Sequence, residues 1–322
     1  LQCLFCYWVG YWFSKWAGAL RRIILSWVRF VKKVAAVARV AVVQERAVVR
    51  TNYSCHRELA ERSFAKFNDR RYIFQEKELT KPVLIMQLRP EDSTSDSEFE
   101  AFLKYGQLDT SRVHRLRIEK TGIPDELNLD DYCAVIVGGS PFDISTPENK
   151  KSVMQKKIER DFAIFLDEVT GKDFPFLGAW SGNGLLGSYL GTSISGQYNE
   201  AVGSAELTIT AEGKNDPLLQ GFPERIKVLL GHKEACDTVP EGATLLMTGE
   251  RCPVQMFRVG ENVYATQFHP EGDSEGFIVR VNVYKHHGYF QPHEADELIS
   301  RLEGEYTPYA QKILQRFVER YS

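Results

Sequence analysis

Two glycines flank a single residue at a spacing that suits a catalytic nucleophile. Gly178 and Gly182 lie two positions before and two positions after Trp180, in the segment FLGAWSGNGLL. A strand-to-helix turn of this form is strained so that its central side chain is exposed, and it needs small residues at both flanking positions. The spacing therefore predicts a nucleophile elbow centred on residue 180. The indole that stands there only donates a hydrogen bond and has no nucleophilic lone pair.

Two further segments could supply acid–base chemistry and an oxyanion site. In the segment TQFHPEG, His269 could act as a general base while Glu271 holds its ring in the required tautomer. The Gly138-Gly139 pair ends another apolar run, and a turn there can present backbone N–H groups to an oxyanion. The N–H of Ser181, which follows the elbow residue, would join them. We predict that the three segments converge on one site.

All three segments follow short apolar runs in a chain where strand-like and helical patterns alternate. Strands are predicted at Val83–Leu88, Val113–Ile118, Tyr132–Val137 and Phe174–Leu177, and helices at 149–169 and 178–190. This alternation predicts an α/β fold with a mostly parallel central sheet and helices on both faces. In such sheets a site lies at the carboxyl ends of the strands, which is where the three segments fall.

The remaining elements are predicted from local signals. Ser95 and Glu98 have the spacing of a capping box that opens a helix, and the acidic run 91–100 is interpreted as its solvated start. Later strands and helices follow from apolar runs and helical spacing. The strands are predicted at 206–210, 226–230, 244–247, 254–259 and 263–267, and the helices at 274–285, 293–303 and 306–320.

On these motifs, residues 81–290 resemble class I glutamine amidotransferases. That family carries a G-G-P-type oxyanion turn, a G-x-C-x-G-H-Q elbow and a Q-F-H-P-E block, and its S-H-x-D-type loop resembles the sequence GHKE at 231–234. The likeness is strongest to stand-alone, actinobacterial-type members similar to the amidotransferase part of GMP synthase. The resemblance implies a flavodoxin-like fold and hydrolysis of glutamine to glutamate and ammonia without a cofactor. It also implies that glutamine binds near Gly138, Gly139, the elbow and His232.

Three elbow positions depart from the family pattern. Trp180 replaces the cysteine nucleophile, and Asn183 and Gly184 stand where the family has His and Gln. Gly184 offers no side chain to hold glutamine, and the bulky indole is expected to fill the glutamine pocket. Loss of the nucleophile costs a triad hydrolase roughly 10⁶-fold in turnover. We therefore predict a glutamine amidotransferase-like protein that is inactive; the alternative is a non-catalytic binding or regulatory protein on the same fold.

Other nucleophiles fit the pattern less well. Ser181 could serve only if the turn shifted by one residue, which would put an asparagine at a position that needs a small residue. Cys133 lies inside a predicted strand and Cys252 precedes a proline, while Cys236 follows the 231–234 loop and is an outside candidate. A shifted serine is the weaker interpretation, and Ser181 is expected to act through its backbone N–H.

The composition excludes several classes of protein and argues against a metal site. The 322 residues are 43% hydrophobic and 26% charged, which excludes wholesale disorder and a polytopic membrane protein. Six cysteines in a chain of this length are typical of a reduced, cytoplasmic protein. His286, His287 and His293 have no accompanying carboxylate or cysteine pattern, so no metal site is predicted.

The partners expected are glutamine, or a related small molecule, and a separate protein. The sequence has no phosphate-binding loop and no pyrophosphatase loop, so any ammonia would pass to an ammonia-accepting synthetase partner. Residues 82–322 contain 24 Lys and Arg against 37 Asp and Glu, a balance of −13. That negative charge argues against nucleic acid as a partner.

Residues 1–80 form a basic, aromatic-rich segment distinct from the rest. Residues 1–81 contain 16 Lys and Arg against 6 Asp and Glu, a balance of +10, and the first methionine is Met86. From Trp16 the apolar residues recur at helical spacing opposite the basic ones, which predicts a basic amphipathic helix. Attachment to an anionic membrane surface, packing on a partner, and a non-native leader all remain open. Residues 81–322 are predicted as the amidotransferase-like domain, with 291–322 as a helical C-terminal extension.

Overall fold

The computed structural model describes residues 81–286 and 290–322. The predictions made for the leader, residues 1–80, and for His287 lie outside the described residues. Within the described part of the chain, no helix is both long enough and apolar enough to cross a membrane.

The strands form one nine-stranded sheet and one small two-stranded sheet. Their bounds are β1 Val83–Gln87, β2 Val113–Arg117, β3 Ala134–Val137, β4 Phe176–Ala179, β5 Ile194–Ser195, β6 Glu200–Ile209, β7 Arg225–His232, β8 Ala235–Cys236, β9 Ala243–Gly249, β10 Met256–Val259 and β11 Val263–Thr266. The order in the large sheet is β2-β1-β3-β4-β11-β10-β9-β6-β7, and β5 pairs with β8.

Eight α-helices accompany these strands in the described residues. They are α1 Asp92–Gly106, α2 Ile118–Thr121, α3 Val153–Gly171, α4 Ser181–Tyr189, α5 Ala211–Lys214, α6 Ser274–Tyr284, α7 Ala295–Leu302 and α8 Pro308–Tyr321. The strand and helix patterns predicted within residues 81–322 correspond to elements here, with ends that differ by a few residues, except that β6 begins six residues before its predicted start. The helix predicted from Trp16 lies outside the described residues.

The large sheet has a parallel half and an antiparallel half. Strands β2, β1, β3, β4 and β11 are parallel, and β10, β9, β6 and β7 continue from β11 in antiparallel pairings. The alternation of strands and helices accounts for the parallel half, since a parallel connection needs a crossover segment, usually a helix. The predicted fold class is confirmed, with the antiparallel half as an extension of the sheet beyond β11.

Both faces of the parallel half are covered. Alternate residues of β1 enter two different cores: Val83 and Ile85 pack in one with Phe102 of α1, and Leu84 and Met86 pack in the other with Phe162 of α3. Because neither face meets water, the strand is apolar from Val83 to Met86 and does not alternate with polar residues. This explains why β1, β3 and β4 appear in the sequence as short unbroken apolar runs.

The C-terminal helix belongs to the first of these cores. Ile313, Leu314 and Phe317 of α8 are fully buried there together with Val83 and Ile85. The segment 291–322 therefore contains helices α7 and α8, and α8 is part of the domain's own hydrophobic core.

The predicted capping box at Ser95 and Glu98 is wrong. Helix α1 begins at Asp92 with Glu91 as its N-cap, so both residues lie inside the helix and both are fully buried. The Glu98 carboxylate accepts a hydrogen bond from Arg89 Nε at 2.7 Å rather than from a helix N-terminus. The acidic run 91–100 is thus not wholly a solvated helix start, because Glu98 is buried against Arg89 in spite of its capping-box spacing.

Candidate functional site

The elbow forms at the end of β4. Trp180 has φ 58° and ψ −85°, a left-handed backbone conformation that non-glycine residues rarely adopt, and helix α4 begins at the next residue. Its N–H is held by the carbonyl of Thr266 at 2.8 Å. Such a conformation costs on the order of 1–3 kcal/mol and persists only where the surroundings impose it. The backbone therefore has the strained form that the glycine spacing predicts.

The glycine at position 178 is required by a close backbone approach. A Cβ atom on Gly178 would lie 2.7 Å from the carbonyl carbon and 2.8 Å from the Cα of Gly182. Both are backbone atoms, so no side-chain rotation can relieve the contact. This is the physical reason for a glycine at position 178. A Cβ on Gly182 would lie 3.6 Å from Val137 Cβ, an ordinary contact, so the glycine after the elbow is not required by space.

We expect Gly178→Ala to destabilise the protein strongly. The added methyl must displace backbone, and overpacking of this kind costs about 3 kcal/mol. The melting temperature should fall by roughly 6–12 °C. Gly171→Ala is the matched control, since a Cβ at Gly171 meets nothing within 4 Å. Calorimetry that gave equal melting temperatures for the two variants would contradict this account of the elbow.

The indole of Trp180 points into the protein and is held on two sides. The residue is 7% exposed, and its Nε1–H donates to the carbonyl of Gly231 at 3.0 Å. Its ring stacks on the imidazole of His269, with 6.0 Å between centroids and 14° between planes. The side chain at the nucleophile position therefore covers the general base predicted from the sequence.

Two cavities lie on either side of this indole. The first, which we call the elbow cavity, is lined by residues that include Ser140, Ser181, Gly184, Glu234 and Gln267. Its volume is about 20 Å³, room for on the order of one water molecule. A cavity of this volume has no space for an amino acid, and Trp180 is one of the residues that line it.

The second cavity, which we call the Arg280 cavity, has a volume of about 40 Å³. It is lined by His269 and by Arg89, Phe277, Arg280 and Tyr284, and Trp180 is its wall toward the elbow cavity. His269 lines only this second cavity. The general base and the predicted amide pocket are therefore separated by the side chain of Trp180.

His269 and Glu271 form the dyad that their spacing predicts. The Nδ1 of His269 and Oε1 of Glu271 are 2.7 Å apart, and the same carboxylate oxygen accepts from Arg280 Nη2 at 2.9 Å. Burial lowers the pKa of His269 to about 4, against the pull of Glu271 in the other direction. Burial alone would raise the pKa of Glu271, but His269 and Arg280 hold it at about 2. At neutral pH the imidazole is thus neutral and oriented by a carboxylate, as a general base must be.

This dyad should make the protein's stability depend on pH. The ordinary pKa of His269 is 6.5 and its pKa in the folded protein is about 4, so the unfolded chain binds a proton in this window that the folded chain does not. The free energy of unfolding should therefore be full above pH 6.5 and fall by about 3 kcal/mol as pH drops to 4. Urea unfolding at several pH values would measure it. His269→Gln should remove that part of the decline, and an unchanged decline in this variant would contradict the prediction.

The predicted oxyanion turn is occupied by protein groups. The N–H of Gly138 donates to the carbonyl of Met86 at 2.9 Å, and the N–H of Gly139 donates to Glu98 Oε1 at 3.0 Å. The N–H of Ser181 lies at the first position of α4, where no intrahelical acceptor is available. The prediction that Gly139 offers its N–H freely therefore needs correction: that N–H reaches an oxyanion only after Glu98 releases it.

Sequence reasoning missed Glu98 and Arg89. Glu98 also accepts from Gln87 Nε2 at 3.0 Å, and a Cβ on Gly138 would lie 2.4 Å from its Oε2. The carboxylate therefore sits directly under the glycine turn, with Arg89 as its ion-pair partner at 2.7 Å. One feature of the sequence could have indicated these two residues: Arg89 comes just after β1, at the same edge of the sheet as the other site residues.

His232 and Asn183 do not line either cavity. Both ring nitrogens of His232 are engaged, Nδ1 with the carbonyl of Glu234 at 3.0 Å and Nε2 with Glu200 at 2.9 Å. Asn183 is fully buried and accepts from the thiol of Cys236 at 3.1 Å. Gly184 does line the elbow cavity. Strand β7 reaches Trp180 instead, through the carbonyl of Gly231.

The alternative nucleophiles have unreactive surroundings. Burial raises the pKa of both Cys236 and Cys252 to about 12, and it also raises the pKa of the half-buried Cys133. The hydroxyl of Ser181 is buried and makes no hydrogen bond among the described residues, so no base activates it. A thiolate or an activated hydroxyl is what nucleophilic catalysis requires.

Two clusters in the described residues bring three potential metal ligands together. In one, Glu98, His269 and Glu271 converge, but Arg89 and Arg280 already pair with the two carboxylates. In the other, Glu200, His232 and Cys252 converge, and Glu200 accepts from both His232 and Gln255. His286 and His293 are exposed and belong to neither cluster.

Comparison with known proteins agrees with this geometry. The family model described as "Glutamine amidotransferase class-I" matches residues 110–277. The chain is 25% identical over 176 residues to a subunit of the glutamine-hydrolysing GMP synthase of Methanosphaera stadtmanae, covering 53% of this chain and 84% of that one. It is 28% identical over 163 residues to gamma-glutamyl peptidase 3 of Arabidopsis thaliana, covering 47% of this chain and 59% of that one.

A solved structure shows the same fold. A glutamine amidotransferase from Thermotoga maritima superposes with a TM-score of 0.59 at 22% identity, covering 75% of this chain and 98% of that one. The matched family segment spans half of the chain and includes the elbow, the glycine turn and the His269–Glu271 dyad. The chain belongs to the class I glutamine amidotransferase family.

Proposed function

We propose that this chain is a glutamine amidotransferase-like protein that does not hydrolyse glutamine, because Trp180 stands where the nucleophile is needed. The observation that carries the proposal is the position of the indole. It sits on a strained elbow, leaves about 20 Å³ in the elbow cavity and separates that cavity from His269. Both the attacking atom and the space for its substrate are thus missing.

The rest of the proposed machinery is retained. In the family reaction a nucleophile at position 180 attacks the side-chain amide of glutamine, and the C–N bond breaks as ammonia leaves. We assign proton transfer to His269, oriented by Glu271 at 2.7 Å. The N–H of Ser181 is proposed as the first oxyanion donor, with Gly139 as the second once Glu98 moves. The glutamine side chain would enter beside Gly138 and Gly184.

We propose that any ammonia this chain made, once it carried a nucleophile, would pass to a separate synthetase partner. The Methanosphaera protein is named as one subunit of a glutamine-hydrolysing GMP synthase. Such a subunit works beside another chain, and this sequence contains no nucleotide-binding loop of its own. We also propose that this protein acts in the cytoplasm.

A second candidate is a binding or regulatory protein that never turns over its ligand. It is favoured by the way the indole is built into the site, with a hydrogen bond to Gly231 and a stacked contact on His269. Asn183 is likewise fixed by Cys236 and does not face a substrate. On this proposal Trp180 has a structural role of its own.

Covalent labelling tests the proposal. The full chain and its Trp180→Cys variant would be treated with a glutamine-mimicking electrophile, and intact masses would be measured. We expect no adduct on the unchanged chain and one adduct, at position 180, on the variant. An adduct on the unchanged chain, at Ser181 or at any cysteine of 81–322, would show that another residue serves as nucleophile and would overturn the proposal.

A further inference from the structure

Three potential metal ligands meet in the antiparallel half of the large sheet. Glu200 begins β6 and His232 ends β7, and the two residues lie opposite one another in the register of this strand pair. Cys252 lies between β9 and β10. One ligand atom from each residue lies within 4.8 Å of the other two, and all three residues are buried. None of them lines either cavity beside Trp180, so the cluster is separate from the elbow.

A backbone carbonyl fixes the tautomer of His232. Its Nδ1 lies 3.0 Å from the carbonyl oxygen of Glu234, which only accepts, so a proton lies on Nδ1. In a neutral ring of this tautomer, Nε2 carries a lone pair. Metal-binding histidines almost always donate their other ring N–H in this way, which orients the lone pair toward the metal. His232 therefore presents Nε2 as a ligand atom on the side where Glu200 lies.

The contact between His232 and the carboxylate of Glu200 needs a cation between them. Nε2 and Oε2 are 2.9 Å apart, and both atoms are acceptors when the ring is neutral and the carboxylate is ionised. A proton shared by the two atoms makes this contact a hydrogen bond. A divalent metal ion can take the place of that proton and bind both atoms as ligands. The same carboxylate oxygen accepts from Gln255 Nε2 at 2.6 Å, which orients it.

No arginine or lysine in the described part of the chain pairs with Glu200. Its carboxylate is 6% exposed, and its ion-pair contact is with His232. The cluster thus differs from the one around His269, where Arg89 and Arg280 already pair with the carboxylates. Burying a carboxylate without a cation is unfavourable. A metal ion bound here would supply a positive charge that the arginines supply in the other cluster.

Cys252 completes a donor set that suits zinc. Zn²⁺ takes sulfur, imidazole nitrogen and carboxylate oxygen as ligands, whereas Mg²⁺ and Ca²⁺ prefer oxygen alone. Burial raises the pKa of the Cys252 thiol to about 12, so this thiol is protonated until a metal binds. A thiol that coordinates a metal ion is deprotonated outright. The cluster therefore offers one ligand of each of the three types.

The surroundings of the cluster provide for a fourth ligand and a path of entry. Gln255 Oε1 belongs to the amide that holds Glu200, and it is buried without a hydrogen-bond partner among residues 81–286 and 290–322. It can accept from a water molecule bound to the metal. Glu200 also lines two grooves along β6 together with the exposed Arg251, so the cluster is reached from the surface.

We propose that Glu200, His232 and Cys252 bind one Zn²⁺ ion. The ligands are Nε2 of His232, a carboxylate oxygen of Glu200 and the thiolate of Cys252, and water takes the fourth position of a tetrahedral site. The thiol proton and the proton shared by the His232–Glu200 pair leave as the metal binds. The ion joins β6, β7 and the segment before β10, so it stabilises the antiparallel half of the sheet.

Cobalt binding to the full chain tests this site. Co²⁺ is the probe because a Co²⁺–thiolate bond absorbs light whereas Zn²⁺ is silent, and Cys3→Ser, Cys6→Ser and Cys55→Ser remove the thiols of residues 1–80. We expect one Co²⁺ per chain with a thiolate absorption band that Zn²⁺ abolishes, because Zn²⁺ binds such ligands more tightly. Zn²⁺ at 100 times its dissociation constant should raise the melting temperature by about 5–10 °C. Absence of the band would overturn the proposal.

Two variants assign the metal to this cluster. Cys252→Ser, which is nearly isosteric, should abolish both the absorption band and the rise in melting temperature. Glu200→Gln should keep the band but weaken Co²⁺ binding at least 10-fold. Cys133→Ser is the matched control, since Cys133 is a free, half-buried thiol outside the cluster, and it should change neither result. A band that survives Cys252→Ser, or a Glu200→Gln variant that binds Co²⁺ as tightly as the control, would show that the metal lies elsewhere.

Discussion

Replacement of Trp180 by cysteine should convert a silent protein into one that releases glutamate from glutamine. The change supplies a thiol at the strained elbow and removes the indole that covers His269 and fills the elbow cavity. Removing a nucleophile from a triad hydrolase costs roughly 10⁶-fold in turnover, so a gain of several orders of magnitude is expected. The gain in turnover will be smaller as long as the N–H of Gly139 donates to Glu98, because that N–H is then not available to the oxyanion.

The matched control is Trp180→Ala, which opens the same space without a thiol. A coupled glutamate assay on both variants separates the missing nucleophile from the blocked pocket. We expect turnover in the cysteine variant only. If the cysteine variant is no faster than the alanine variant, the site has lost more than its nucleophile, and the binding-protein proposal gains.

Glu271→Gln should be the most damaging single change outside the elbow. Glu271 is fully buried and its Oε1 accepts from both His269 and Arg280. The neutral amide would leave the buried Arg280 cation with only the carboxylate of Glu98, at 3.9 Å, and breaking a buried ion pair costs about 3–5 kcal/mol of folding free energy. It would also release the imidazole from the tautomer that makes Nε2 the base.

Both effects can be measured. Urea unfolding of the single variant gives the loss of stability, and glutamate release by the variant made together with Trp180→Cys gives the loss of catalysis. By comparison with the orienting carboxylate of a triad protease, we expect turnover to fall roughly 10⁴-fold. Glu275→Gln, an exposed change in the first turn of helix α6, should alter neither. Wild-type stability in Glu271→Gln would mean that the buried ion pair contributes nothing.

The parts of the site that lie close together in the sequence could be predicted from it. The glycines around Trp180 and the His269–Glu271 pair are encoded within a few residues, and the strands before them are unbroken apolar runs. Since parallel strands end at one edge of the sheet, the convergence of Gly139, Trp180 and His269 follows from those runs. These features depend on local backbone geometry and on burial, and both leave clear patterns.

The parts that depend on distant contacts could not be predicted. Glu98 has the spacing of a helix cap, yet Arg89 and the glycine turn bury it, and no local pattern indicates that choice. The direction of the Trp180 side chain depends on the carbonyl of Gly231, which lies 51 residues away. His232 matches a family loop, but Glu200 engages its ring from another strand. In each case a long-range partner decides the role.

Glutamine binding by the unchanged chain and by Trp180→Ala tests the central claim most directly. Alanine removes the indole without adding a nucleophile, so calorimetry measures binding undisturbed by turnover. We expect no saturable glutamine binding to the chain with Trp180, because about 20 Å³ is left beside the elbow, and measurable binding to the alanine variant. Equal glutamine binding by both proteins would contradict it, since the indole could then not be occupying the place of the substrate.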